Sequence, residues 1–208
     1  ILAHHPNKFK QIKEQAEVYK SEFGIEAKVY SKEEFNKIGH EGTEQFGALS
    51  YKPGFAINPL KFVNGIARYA LSKKLKIFEH SLVVKIDKIN GSYTLRTKEG
   101  SVNTKKVVVA TNGFYQEGLV PQMNSRILPV ISNIIVTRRL TKSEIDSHNF
   151  KTFSPIANTK NLLYYYRKLK DNRILFGTRG DFIGSDQSNL DRSKKMEKFL
   201  KNIFPNWS

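Results

Sequence analysis

The sequence predicts a mixed α+β chain with α/β character. A helix, a β-meander and a terminal strand occupy its middle, flanked on both sides by a largely antiparallel sheet with helices outside it. Three observations predict this. Apolar residues recur at helical spacing near residues 7–23, 59–73 and 189–205. Between these lie short runs rich in β-branched and aromatic residues, separated by turn signals such as Asn90-Gly91-Ser92 and Lys98-Glu99-Gly100-Ser101. The 208 residues, 39% of them hydrophobic, suffice for one large domain or two small ones with a real core.

Taken in order, residues 7–23 put Phe9, Ile12, Ala16, Tyr19 and Phe23 on one helical face, with Asn7 as cap and Gly24 beyond the end. Residues 24–39 read as a short strand and a short helix, the latter opening on a Ser31-to-Glu34 capping box and ending at Gly39. Pro53-Gly54 and Asn58-Pro59 mark an irregular or extended stretch. Pro59 then starts a helix whose stripe is Leu60, Val63, Ile66, Ala67, Ala70 and Leu71. Four strand-like runs follow, at 75–80, 81–89, 92–98 and 102–111. In the last, Val107, Val108 and Val109 read as a buried strand that stops at the small-residue turn Ala110-Thr111-Asn112-Gly113.

The second half is β-rich from 126 to 140, where Pro129 suggests an edge or a bulge. A short capped helix follows at 141–149, then a hairpin over 161–180 with a polar turn at 168–172. The closing helix carries Met196, Phe199, Leu200 and Ile203 on one side. In the strand 162–167, a period of two puts Tyr164 and Tyr166 on one face and Tyr165 and Arg167 on the other.

The formal charge is +16, from 26 Lys and 9 Arg against 19 acidic residues. The basic residues are scattered and their longest runs are pairs, which favours a solvated lysine-rich surface. The competing reading is a non-enzymatic basic α+β module that binds nucleic acid or another polyanion, with salt-dependent retention as its signature. With no cysteine, disulfides and thiolate metal sites are excluded; a reducing cytoplasm is compatible and is the expected location. No apolar run approaches the ~18–20 residues of a membrane helix. His4 and His5 are adjacent, while His40, His80 and His148 are isolated, so no metal site is expected. No G-x-S-x-G elbow supports a serine nucleophile. The first residues are not a signal peptide, and both ends read as cuts within a longer protein.

Three collinear segments, at 54–86, 105–130 and 162–180, carry a resemblance across nearly the whole chain. They resemble the middle portion of D-amino-acid-oxidase-like FAD-dependent amine oxidoreductases. The match is closest to the γ-glutamylputrescine oxidase-like branch, with glycine and sarcosine oxidases as wider relatives. The resemblance implies FAD as cofactor, a small amine or amino acid as substrate, and no nucleic-acid partner. In the full-length protein, a hydride equivalent would pass from a substrate C–N bond to the flavin and the imine would hydrolyse. Residues 58–117 would belong to the FAD-binding lobe, and 1–57 and 118–208 to the substrate lobe.

Position by position, the resemblance puts the Val83 backbone at the adenine edge. It puts Ala110, Thr111, Asn112 and Gly113 at a turn passing close to the dinucleotide. Strand 162–167 would roof the flavin, with Tyr164 facing substrate and Arg167 as a bidentate carboxylate ligand; Arg138, Arg139 and Arg179 have weaker claims. No catalytic acid or base is assigned. The chain departs from the family in lacking a G-x-G-x-x-G loop: Gly177, Gly180 and Gly184 have the wrong spacing and follow a hairpin strand. Without a helix N-terminus for the pyrophosphate, these residues alone are expected to bind FAD poorly and to be inactive.

Overall fold

The computed structural model describes residues 1–181 and 185–207, with side-chain surroundings left aside at 179–181 and 186. The chain forms two compact units, one from residues 1–56 and 131–208, the other from 57–130. Residues 118–130 thus group with the middle segment.

In the first unit, α1 (Pro6–Phe23) is capped by His5, whose Nδ1 accepts from the Asn7 amide at 3.3 Å, with Pro6 in the first turn. The cap is therefore His5 rather than Asn7, because Pro6 lacks an N–H and is already set at a helical φ. Gly24 closes the helix at φ 62°, a conformation that favours glycine. Helix α1 packs on one face of the hairpin β1 (Ala27–Tyr30) and β2 (Ala48–Tyr51), where Ile12, Ala16 and Leu49 are buried with Val29 against them. Between these strands, α2 (Lys32–Ile38) has the expected capping box: the Glu34 amide donates to Ser31 Oγ at 3.2 Å, and the Ser31 amide to Glu34 Oε2 at 2.7 Å.

The main sheet has strand order β6-β9-β8-β7, all antiparallel: β6 (Ile131–Val136), β7 (Ile156–Ala157), β8 (Tyr164–Lys168) and β9 (Ile174–Asp181). Strand β6 lies at an edge, with a register shift at Ile131/Ser132, close to where Pro129 suggested it. Residues 1–3 join the hairpin to this sheet: the Leu2 amide donates to Ala157 O at 2.8 Å and the Leu49 amide to Ile1 O at 2.8 Å.

One face of the sheet carries the core. Helix α5 (Asp186–Ile203) buries Met196, Leu200 and Ile203 against Tyr164, Tyr166, Ile174 and Phe176, with Phe204 and Trp207 following the helix into the same cluster. Each such side chain is worth about 1.5–3 kcal/mol of transfer free energy. A short helix, α4 (Lys142–Ser147), is capped by a Thr141/Glu144 box and held by the Trp207 indole N–H, which donates to Glu144 O at 2.7 Å.

The second unit holds helix α3 (Pro59–Ser72), started by Asn58, whose Oδ1 accepts from the Lys61 amide at 3.0 Å. Its meander is β3 (Lys85–Ile89), β4 (Ser92–Arg96) and β5 (Ser101–Thr104). Asn90 and Gly91, at φ 50° and 79°, make the two-residue turn between β3 and β4 that Asn-Gly predicts. Two strand expectations fail here. Residues 75–84 are irregular, and 105–111 pair with no strand; Val108 is 89% exposed. A valine run gives β propensity, but a strand exists only where a neighbour takes its N–H and C=O groups. No residue from 57 to 130 is buried, and α3 leaves its apolar stripe exposed, Leu60 at 70% and Val63 at 60%. Among the described residues, no helix is long and apolar enough to cross a membrane.

Candidate functional site

Strand β8 alternates as its sequence requires, with Tyr164, Tyr166 and Lys168 buried and Tyr165 and Arg167 half-buried on the other face. The buried set faces α5. The Tyr164 ring stacks on Phe199 at 5.2 Å, and Lys160 Nζ lies 4.5 Å from its centroid while paired with Glu44 Oε1 at 2.7 Å. Tyr164, expected to face substrate, thus lies on the covered face, and burial raises its phenol pKa.

Tyr166 meets His40, Nε2 to hydroxyl 2.9 Å, inside a ring of Phe35, Phe150 and Phe204. Desolvation lowers the His40 pKa to about 3, outweighing the nearby Glu41 backbone, so the imidazole is neutral at physiological pH. Lys168 Nζ donates to Phe150 O and sits 4.5 Å from the Phe153 centroid; burial lowers its pKa.

The opposite face of the sheet lies outside the core cluster that α5 closes, with Phe35 and Ile38 of α2 sharing a cavity with Tyr165. It carries Tyr165 and Arg167 from β8, and the neighbouring positions Ser132, Ile134 and Val136 from β6 are exposed. Gly177 in β9 pairs with both Tyr165 and Ile134, at the centre of this face. The Tyr165 ring lies over Gly177: a Cβ built there would stand 2.2 Å from Cε2 and Cζ. The Tyr165 hydroxyl shares a 2.6 Å hydrogen bond with Ser132 Oγ across β9, so the ring is fixed at both ends. Tyr165 also lines a cavity of about 310 Å³ that reaches to the β1–β2 hairpin.

Sequence reasoning placed Tyr165 with Arg167 on the face opposite Tyr164, as observed, but passed over Ser132 and read Gly177 only for nucleotide-loop spacing. The signal was a glycine inside a strand with an aromatic residue in the facing strand, a pattern that marks close approach.

The other candidates are placed as follows. Arg138 makes a two-pronged ion pair with Glu144, at 3.0 and 2.6 Å, that supports the start of α4. Arg139 is 3.9 Å from Asp171. The side chain of Arg179 lies outside the described residues, as does Gly184. In the second unit, Val83 is half-buried and precedes β3, so the β3–β4 ladder, which begins at Lys85, does not include it. Ala110, Thr111, Asn112 and Gly113 are all exposed. The chain turns there in a short 3-10 helix, Asn112 at φ 51°, and a Cβ placed on Gly113 would stand 3.7 Å from Pro129 Cβ.

Comparison with known proteins accords with this architecture. Residues 1–207 match the family model described as "FAD dependent oxidoreductase". The chain is 31% identical over 170 residues to the probable oxidoreductase OrdL of Haemophilus influenzae, covering 80% of this chain and 38% of that protein. It is 30% identical over 146 residues to the gamma-glutamylputrescine oxidoreductase of Escherichia coli, covering 70% and 34%. The chain therefore spans little more than a third of the length of these relatives. Among solved structures, glycine oxidase from Geobacillus kaustophilus superposes with a TM-score of 0.71 at 15% identity, over 99% of this chain and 53% of that one. L-Proline dehydrogenase from P. horikoshii gives 0.70 at 17%, over 98% and 55%. Matched along its length, with the helices and antiparallel sheets of these neighbours, the chain belongs to the family of FAD-dependent oxidoreductases.

Proposed function

We propose that this chain is the central part of a flavoprotein that oxidises the C–N bond of an amine or amino acid. Residues 1–56 and 131–208 contribute to the substrate lobe, and 57–130 to the cofactor lobe. The observation that carries this reading is the sheet face bearing Tyr165, Gly177 and Arg167, which lies outside the core that α5 closes on the other side.

The residues present fit part of the dinucleotide. Residues 110–113 are small and exposed, which suits a close approach of a ligand to their N–H groups. Val83 offers an amide and a carbonyl outside the meander ladder, suited to a base edge. For the pyrophosphate, the chain supplies no glycine loop opening a helix.

When bound, the flavin supplies the two-electron acceptor for the hydride. The protein's share is to bind, orient and desolvate. On this face Tyr165 presents a fixed ring against which a substrate carbon can be held, and Ser132 keeps that ring from rotating. Arg167, on the same face two residues along, suits a substrate carboxylate. The nitrogen lone pair must be free as the C–H bond breaks, so the amine reacts neutral, which a desolvated surface favours. The resulting C=N bond is then hydrolysed by water. None of these steps requires a protein acid or base.

The test is anaerobic mixing of the full-length protein with a panel of amines and amino acids, followed by visible absorbance. Bleaching of the yellow flavin band by at least one member supports the proposal. A protein that purifies without flavin and takes none up would end it.

A further inference from the structure

Tyr165 belongs to two surfaces at once, the sheet face opposite α5 and the cavity of about 310 Å³ beside it. That cavity arises from the way the β1–β2 hairpin is used. Its Ala27, Val29 and Leu49 pack on α1, so alternation turns Tyr30, Ala48 and Ser50 the other way. The opposite wall is the run from Thr152 to Ala157 leading into β7, and Leu2 and Ile156 are buried at its base.

The chemistry of this lining is selective. Charged residues make up 26% of the sequence, yet none of the fifteen residues that line the cavity is Asp, Glu, Lys, Arg or His. Its polar side chains are neutral hydroxyls, from Tyr30, Ser50, Tyr51, Thr152, Ser154 and Tyr165, and the Ile1 α-amino group beside them donates to Leu49 O at 2.7 Å, with its pKa lowered by burial to about 6. A charged group entering would lose its hydration with no charged side chain to replace it, whereas an alkyl chain or a ring has no such hydration to lose. The volume is at the lower end for a small-molecule site, enough for a modest substituent.

We infer that this cavity is a subsite for an uncharged alkyl or aryl portion of the substrate, and that Tyr165 is the wall it shares with the reaction face. The inference rests on the proposed function for the identity of the substrate and deepens it: the preferred amine carries a neutral apolar arm. Small residues keep the space open. Ser50 on β2 and Ala157 on β7 are where a larger side chain would fill it.

Two measurements on the full-length protein test the subsite. Linear 1-alkanols, which carry the chain without a reactive nitrogen, are titrated by calorimetry, and linear primary amines are compared by kcat/KM. Both series should strengthen by about fourfold per methylene until the cavity is full, and then level off. Ser50→Leu should abolish that gain in both series, and Tyr30→Ala should move the plateau to longer chains. Alkanol binding with no amine oxidised would keep the subsite while overturning the proposed reaction. Binding and rates independent of chain length, or a chain-length series unchanged by Ser50→Leu, would overturn the subsite.

Discussion

The Tyr165 ring occupies the place where a Cβ at Gly177 would stand, with ring carbons 2.2 Å from that point. The Gly177 backbone is not left-handed, so glycine is needed for space rather than for conformation. Gly177→Ala should push the ring off the sheet and lower stability by about 1–3 kcal/mol. In the full-length protein it should also reduce kcat/KM for amines by roughly tenfold or more, about 1.4 kcal/mol of barrier. The double change Gly177→Ala/Tyr165→Ala should recover much of the stability, because the clash is gone, and none of the rate. Urea unfolding and steady-state kinetics on the four proteins of this cycle measure both.

Ser132 holds the other end of the ring through the 2.6 Å bond to the Tyr165 hydroxyl. Ser132→Ala and Tyr165→Phe should each cost about 0.5–1.5 kcal/mol of stability. Together they should cost little more than either alone, since they break one bond. A double-mutant cycle that adds fully would show that the two groups do not interact.

The buried His40 makes the first unit sensitive to acid. Its pKa in the folded state is about 3, against 6.5 for the free side chain. The unfolded chain therefore binds the extra proton first, and stability is fully present above pH ~6.5. It should fall progressively between pH ~6.5 and ~3, by a few kcal/mol as an order of magnitude. Burial lowers the His148 pKa as well, which acts in the same direction. His40→Phe should flatten this acid slope but lower stability at neutral pH by about 1–3 kcal/mol, because the Tyr166 hydroxyl loses its partner. Denaturant unfolding from pH 7 to 4 checks both effects.

The stripe on α3 is exposed here, Ile66 at 53%. In the 208-residue chain, Ile66→Lys should leave stability within about 0.5 kcal/mol, as for other surface changes. If the rest of the full-length protein covers that face, the same substitution there should cost about 2 kcal/mol or more, through an unpaired buried charge. Thermal unfolding of the two pairs of proteins gives the comparison.

Much of the fold was legible in the sequence because local rules and burial agreed. The Ser31/Glu34 box, Asn58-Pro59, Asn90-Gly91 and Gly24 all act where their chemistry requires, and β8 alternates as its tyrosines predict. The two strand misreadings share one cause. Val107 to Val109 and residues 75–84 have strand-forming side chains, but pairing is decided by neighbours, which local pattern does not reveal. At the site, alternation separated Tyr165 from Tyr164, yet it could not say which face α5 would cover. That depends on where Met196, Phe199 and Leu200 land after the hairpin closes, which is a matter of packing across the whole unit. The Ser132–Tyr165 bond spans 33 residues and became visible only with the β6–β9 register.

The most direct measurement is a crystal structure of the full-length protein with FAD and a small carboxylate or amine ligand bound. The account predicts the flavin and the ligand at the sheet surface that bears Tyr165 and Gly177. A structure in which another polypeptide segment covers that surface, with the flavin elsewhere, would contradict it.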